Sequence, residues 1–388
     1  MPGSRGEHMT ITPLFWRSET SDGADLDLKD NYKFGGRFKL VDFLAKGGFG
    51  QVWQAKDLEL DEIVALKISR NDLCSETLAL RRLPKDRYVS IYDYVSDKSV
   101  DACAYSMELL DAPWMTLSKY QGEYINAQFY EPEKSIEAVR IISLIGIDII
   151  ESLNILHGKL YGRKNRWVHA DIKPNNIYIQ HKAAKRALAE DASVLLPFTK
   201  IGDLGLTRRS GAIASGGTPI YRAPEQENNG TLSAATDMFA VGQTLAFMVL
   251  GTPFDLSTLE HVTRMRNQLA AFIPSGHLVE AYTKIIRGIT LRTPTLRRTA
   301  HSTVQLLRNI MQSKEEWTAL RALMRHKEVG LNLNDAADVL FPELKLSRNW
   351  RRANKERINI IKNLVKSMHR REILNLQGHR YIVRPSNA

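Results

Sequence analysis

The sequence predicts an α+β fold in which a strand-rich segment precedes a larger helical one. Three observations carry this. Alternating apolar and polar residues recur between Arg37 and Leu110, with glycines between the first two strands; apolar residues then recur at helical spacing from Ser135 to His157; and an apolar helix opens at Asp237. With 388 residues, 43% apolar and 25% charged, the chain is long enough to bury a substantial core and to form two or three units.

The bulk composition excludes some classes. Two cysteines, Cys74 and Cys103, are too few for a disulfide framework and fit structural thiols in a reducing compartment, cytoplasmic or nuclear. The most apolar stretch, Ile141 to Leu156, is interrupted by Asp148 and Glu151 and is too short to span a bilayer, and no signal peptide is visible. Met1 to Met9 carry Gly-Ser and His-Met pairs of expression-vector type; with the polar stretch that follows they form an N-terminal arm, residues 1–31. Of the formal net charge of +11, +10 lies from Lys345 onward, where twelve lysines and arginines face two glutamates, so any electrostatic partner belongs to the C-terminus.

Arg37-Phe38-Lys39-Leu40-Val41-Asp42-Phe43-Leu44 alternates as a strand, Lys46-Gly47-Gly48-Phe49-Gly50 follows, and Gln51-Val52-Trp53-Gln54-Ala55 alternates again. This is a hairpin with an almost bare tip, whose backbone can close over phosphates; a purely structural hairpin also needs glycine. The glycines do not lead into a helix, unlike those of a dinucleotide-binding fold. Ile63-Val64-Ala65-Leu66-Lys67-Ile68 is an apolar strand with one lysine inside it. A buried ammonium is costly, so Lys67 needs an anionic partner or ligand unless it reaches solvent at an edge. Ser75 to Leu83 has leucines at helical spacing and one glutamate, Glu76, which alone reads as solvated. Tyr88 to Tyr94 and Ala102 to Leu110 are further strands, the second ending in a connector.

Val168-His169-Ala170-Asp171-Ile172-Lys173-Pro174-Asn175-Asn176 precedes a short apolar strand, Ile177-Tyr178-Ile179, so its polar groups lie on a loop held by that strand. A carboxylate, a lysine two residues on and an amide five residues on can combine a base, a cation for phosphate and a metal ligand; a plain polar loop is the alternative. Ile201-Gly202-Asp203-Leu204-Gly205 adds an aspartate and a glycine after an apolar approach, a pattern equally common in turns. Three further stretches follow in order: Gly217-Thr218-Pro219-Ile220-Tyr221-Arg222-Ala223-Pro224-Glu225, then Asp237-Met238-Phe239-Ala240-Val241-Gly242, then Thr293-Pro294-Thr295-Leu296-Arg297-Arg298-Thr299-Ala300.

Together, from about Tyr32 to Gln312, these stretches resemble eukaryotic-type (Hanks-type) protein serine/threonine kinases. The loop is similar to the family's His-Arg-Asp-x-Lys-x-x-Asn, with Ala170 in place of the arginine. Asp203-Leu204-Gly205 resembles Asp-Phe-Gly, and Gly217 to Glu225 matches the end of the activation segment, which small-molecule kinases of related fold generally lack. In the glycine-rich hairpin Ala45 replaces the first glycine; in the late element Thr293 and Arg298 replace an aspartate and a proline.

The resemblance implies a bilobal fold: a small antiparallel N-lobe with one helix at about 32–110, and a mainly helical C-lobe at about 111–312. It implies ATP and Mg2+, with transfer of the γ-phosphate to protein serine or threonine hydroxyls. Asp171 would be the base and Lys173 would neutralise the phosphoryl in flight. Asn176 and Asp203 would hold the metal, and Lys67 would contact the α- and β-phosphates while paired to Glu76. Ala45, Lys46, Gly47, Gly48, Phe49, Gly50 and Val52 would cover the nucleotide. Ala65, the gatekeeper Met107, Glu108, Leu110 and Tyr178 would surround the adenine. Thr218, Glu225, Asp237 and Arg297 would be structural, with Glu225 paired to Arg297. Alanine at 170 cannot clamp a phosphorylated activation loop as the arginine does, so control through phosphate on Thr207, Ser210 or Ser215 is not expected.

Two segments depart from the family: Gly158 to Trp167 lengthens the approach to His169, and His181 to Ser193 forms an alanine-rich, charged insert, expected as a short exposed helix. Residues 313–388 form a helical extension in which Ile358, Ile361, Leu364, Val365 and Met368 fall at helical spacing among lysines and arginines between Trp350 and Leu376. Its apolar face either docks on the preceding domain, leaving the cations solvated, or serves an acidic protein, nucleic acid or anionic lipid. Two competing functions remain at this level: a nucleotide-binding pseudokinase or scaffold acting through the basic tail, and a small-molecule kinase.

Overall fold

The computed structural model describes residues 26–47, 50–70, 79–126, 128, 132–159, 166–189, 197–214, 216–256, 258–273 and 276–310, with 363, 365–366, 368–369, 374–377 and 380–383. Expectations for Gly48, Phe49, Glu76, Ser215 and most of the C-terminal extension lie outside these residues, as does most of the helix expected at Ser75 to Leu83, of which a 3-10 turn at Ala79–Arg82 is described. The chain divides into two compact units: Met1–Lys85 with Val89–Asp111, and Asp86–Tyr88 with Ala112–Ala388.

The first unit is one antiparallel sheet of six strands: β1 (Lys33–Phe34), β2 (Phe38–Gly47), β3 (Gly50–Asp57), β4 (Glu62–Ser69), β5 (Ile91–Asp97) and β6 (Ala102–Met107), in the order β1-β2-β3-β4-β6-β5. One face is apolar because Trp53, Leu66 and Ile68 point the same way as Leu40, Ala55 and Val64, and they pack with Leu26, Leu28, Phe34 and Phe38 into a buried cluster. At one end Arg37 gathers three segments, bonding both oxygens of Asp57 and, at 2.8 Å, Asp93. That guanidinium holds both carboxyls below the usual carboxylate range. The strand expected at Tyr88 to Tyr94 begins only at Ile91; Tyr88 belongs to the second unit, where it bridges to Ile201 in parallel and donates its hydroxyl to Ser152 C=O.

The second unit is mainly helical: α1 (Leu117–Tyr120), α2 (Pro132–Asn154), α3 (His181–Ala189), α4 (Pro224–Glu227), α5 (Ala234–Leu250), α6 (Leu259–Phe272), α7 (Gly276–Ile289) and α8 (Ala300–Ile310). A three-stranded sheet carries the loops, with β9 (Ile177–Gln180) between β7 (Trp114–Thr116) and β10 (Thr199–Ile201); β8 (Trp167–Val168) pairs with β11 (Arg208–Arg209). Residues Thr236 to Leu250 of α5 are buried all round, as a core helix must be, and α2 and α7 pack on this interior. The helix starts three residues before Asp237, at Ala234 after Ser233, rather than at Asp237 itself. The insert forms α3, with Lys182, Lys185 and Arg186 exposed.

Asp148, the carboxylate that interrupts the apolar stretch of α2, is buried and fully engaged. It accepts from Phe198 N–H, Thr199 N–H and the Thr199 hydroxyl at 2.8 to 3.0 Å and pairs with Arg87 at 3.1 Å. Burial pushes its pKa up against the pull of those donors. It thereby fixes the start of β10, which leads to Asp203.

At the C-terminus, Val365 and Met368 are buried while Lys366 is exposed, as helical spacing requires. The helix expected to reach Leu376 does not: Leu374–Gln377 is strand β12, paired antiparallel with β13 (Arg380–Val383), Leu376 opposite Tyr381. Arg380-Tyr381-Ile382-Val383 offers a strand partner separated from Gln377 by two residues, and pairing across so short a connection outweighs continuation of the helix.

Gly50 is demanded by close approach. Its φ is +133°, and a Cβ there would lie 2.0 Å from Ile68 C=O, whereas one at Gly47 would meet nothing within 4 Å. Gly50→Ala is expected to destabilise the protein by about 2 kcal/mol or more, and Gly47→Ala by less than about 0.5 kcal/mol, read from denaturant midpoints.

Candidate active site

In the first unit the cross-strand register places on one face several of the residues expected to line a nucleotide. Ala45 lies opposite Val52, Val52 opposite Lys67, and Lys67 opposite Tyr105; Ala65, two residues from Lys67, lies opposite Met107. This is the face opposite the apolar cluster, so period 2 alone separates the Lys67 set from the core. Lys67 is buried within β4, and the residue expected to pair with it, Glu76, lies outside the described residues. Lys46 and Gly47 end β2 opposite Gln51 and Gly50. After Met107, Glu108 pins the connector in both directions: its N–H donates to Ser90 C=O at 2.8 Å and its carboxylate accepts from Ser90 N–H at 3.1 Å. Leu110 is half-buried two residues on, and Tyr178 lies in β9 of the second unit.

The second unit holds the remaining polar residues on a short loop between β8 and β9. Asp237, in the first turn of α5, accepts at one oxygen from His157 Nε2 at 2.7 Å and His169 N–H at 2.8 Å, and at the other from Ala170 N–H at 2.8 Å. Burial alone would raise its pKa, but the hydrogen bonds from His157 and from His169 N–H outweigh it and hold the carboxyl below its ordinary value. His157 comes from a π-helical turn, Ile155–Lys159, that follows α2. His169 Nε2–H donates to Gly202 C=O at 2.9 Å and its Nδ1 accepts from Asp171 N–H at 3.2 Å, which selects one tautomer and ties the loop to the residue before Asp203.

Around Asp171 four donors converge. One carboxylate oxygen accepts from Thr218 N–H and the Thr218 hydroxyl, both at 2.9 Å; the other accepts from Asn176 Nδ2 and Lys173 Nζ, both at 3.0 Å. Lys173 also donates to the Thr218 hydroxyl at 2.6 Å, so the loop and the Gly217 to Glu225 stretch close on one carboxylate. Asn176 C=O accepts from Gly202 N–H at 2.8 Å next to the β9–β10 pairing, which brings Asn176 and Asp203 side by side. Asp203 is left-handed, with φ +53° and ψ +66°, a strained backbone of the kind found where function fixes a residue. An amide and a carboxylate oxygen so placed are hard donors that suit Mg2+. Glu225 meets Arg297 through two N–H···O bonds of 2.6 and 2.7 Å, and Arg297 spends its other donors on Ala235, Leu291 and Arg292 carbonyls.

Among the expected residues the structure thus gathers Asp171, Lys173, Asn176 and Thr218, with Asp203 adjacent, and pairs Glu225 with Arg297. Sequence reading missed His157 and Gln226. A histidine closing a long apolar helix was the visible signal for the first; Gln226, directly after Pro224-Glu225, had none. Of the activation-segment hydroxyls, Thr207 is only 1% exposed, whereas Ser210 is exposed.

A family model described as protein kinase domain matches residues 38–325. The chain belongs to the protein kinase family. Among similar proteins are serine/threonine-protein kinase PrkC of Bacillus subtilis and serine/threonine-protein kinase PksC of Streptomyces coelicolor, each 27% identical over 58% and 57% of this chain and 32% and 38% of their own length. Dual specificity tyrosine-phosphorylation-regulated kinase 3 of Homo sapiens is 24% identical over 61% of this chain and 37% of its own. The chain thus spans about a third of the length of these curated relatives.

Asp237→Asn would set an amide against donors that need an acceptor. It is expected to cost about 3 kcal/mol of stability at neutral pH. Because the native carboxyl is held below its unfolded value, Asp237's contribution is complete above the ordinary carboxylate pKa and fades as pH falls through the depressed native one. Thermal melts between pH 3 and 7 should therefore show that the variant lacks this part of the acid loss.

Proposed function

We propose that this chain is an ATP-dependent protein kinase acting on serine and threonine hydroxyls. The observation that carries the reading is the convergence of Lys173 and Thr218 on Asp171, beside Asn176 and Asp203. Asp171 orients the acceptor hydroxyl and takes its proton; Lys173 neutralises charge developing on the transferred phosphoryl. The bond of Lys173 to Thr218 supports serine and threonine as acceptors. Asn176 and Asp203 would hold Mg2+, which when bound offsets phosphate charge. Lys67 and the glycine hairpin are the nucleotide-side residues in this reading. The pseudokinase and small-molecule alternatives are not favoured, since Lys67, Asp171, Lys173, Asn176 and Asp203 are all present with the Gly217 to Glu225 segment.

Control without a phosphate clamp fits the same site. Ala170 packs with Val168, Ala214 and Leu232 in a small apolar cluster where an arginine would have to leave the interior. The segment is also held through its backbone: Gly211 N–H donates to Leu232 C=O, Leu232 N–H to Ala212 C=O, and Ala214 N–H to Gly230 C=O, at 2.8 to 2.9 Å. For the basic C-terminus we propose an acidic partner, a protein, nucleic acid or lipid surface, met by its lysines and arginines. A reducing intracellular compartment suits the two thiols.

Asp171→Asn and Asp203→Ala are each expected to lower kcat by about a thousandfold with melting temperatures near the parent's. Near-normal turnover in purified Asp203→Ala would contradict the assignment. Phosphatase-treated parent should keep its activity; recovery only after phosphate returns to Ser210 would contradict control without a clamp.

A further inference from the structure

Gln226 follows the Ala223-Pro224-Glu225 stretch and is only 6% exposed. Its amide makes two hydrogen bonds of different reach. Oε1 accepts from Ala223 N–H at 3.0 Å, which caps the one-turn helix α4 locally. Nε2 donates at 2.9 Å to Ala170 C=O, fifty-six residues away, on the peptide that joins Ala170 to Asp171.

That peptide is an unusual one. Ala170 has φ +65°, a left-handed conformation a non-glycine residue keeps only when its surroundings impose it. Gln226 holds the C=O of the Ala170–Asp171 peptide, and His169 Nδ1 accepts from its N–H, that of Asp171, at 3.2 Å, while Asp237 holds Ala170 N–H on the preceding peptide. With both ends bonded, the peptide plane cannot rotate, and the direction in which Asp171 leaves the chain is set. Gly217 closes the same spot: a Cβ there would stand 3.1 Å from both Ala170 C=O and Gln226 Nε2, and its φ of +101° disfavours a side chain in any case. An aliphatic residue at 226 would leave the buried carbonyl unbonded, and an ionised carboxylate would face it with no hydrogen to donate.

We infer that Gln226 is a positioning residue, whose donated hydrogen bond fixes the Ala170–Asp171 peptide and so makes the aim of Asp171 depend on an ordered activation segment. The inference rests on the kinase reading. It also gives Ala170 a partner in the activation segment that needs no phosphate: the segment grips the loop through its backbone rather than through the side chain at 170.

Two variants separate positioning from capping. Gln226→Glu keeps the acceptor for Ala223 N–H but, ionised, loses the donor; Gln226→Leu loses both. The readouts are kcat and KM for ATP and protein substrate, with amide hydrogen exchange over residues 166–176 in the same samples. Both variants are expected to lower kcat about tenfold, the worth of one hydrogen bond to a buried carbonyl, with KM for ATP within about twofold and faster exchange over 166–176. If the cap is the whole role, Gln226→Glu keeps the parent's kcat and exchange, and the inference is overturned. If Gln226→Leu does not fold, Gln226→Glu decides. A parent that transfers no phosphate to protein overturns the kinase reading instead; the exchange comparison then decides the clamp, unchanged exchange in Gln226→Glu overturning it.

Discussion

The carboxylate of Asp237 lies buried at the start of α5 and takes hydrogen bonds from His157 Nε2, His169 N–H and Ala170 N–H. A charge in that position is tolerable only with its donors in place, so each of the three segments that supply them is fixed by the same requirement. His157 comes from the turn after α2, and His169 and Ala170 from the loop after β8. Through His169 the constraint passes to Gly202, and from there to Asp203. A helix buried on all sides thus carries the polar group that holds the loop, and a rigid core element sets the geometry of a flexible kind of segment.

A second constraint acts on the activation segment. The Glu225–Arg297 pair is buried, and its worth is largely geometric: desolvation offsets much of the Coulomb attraction, but loss of either partner would strand the other. It fixes the Ala223–Glu227 corner, from which Gln226 reaches Ala170, while Thr218, earlier in the segment, reaches Asp171. The apolar contact of Ala170 with Ala214 and Leu232 and the backbone bonds of residues 211–214 complete the hold. The segment can therefore be ordered by bonds this chain always has, which is the physical content of the missing arginine.

Much of this was legible in the sequence because it depends on local pattern. Alternation placed β2 to β4 and β6, and spacing within the loop placed Asp171, Lys173 and Asn176. Where the sequence misled, a longer-range effect prevailed. Tyr88 alternates with its neighbours but is taken by Ser152 and Ile201 of the second unit. Leu374 and Leu376 fit the helical stripe, yet pair with Val383 and Tyr381. Asp148 appeared merely to interrupt an apolar stretch; its role depends on Phe198 and Thr199, fifty residues on, which no local window contains. Gln226 was invisible for the same reason, since its partner is a backbone carbonyl that carries no sequence signal.

The central claim is that one buried scaffold aims Asp171 at a protein hydroxyl. Phosphoamino-acid analysis of a generic basic protein incubated with labelled ATP, Mg2+ and the purified chain tests it most directly. The account requires phosphoserine and phosphothreonine with the parent and neither with Asp203→Ala. Label found only on a small molecule, or equal protein labelling by parent and variant, would contradict it.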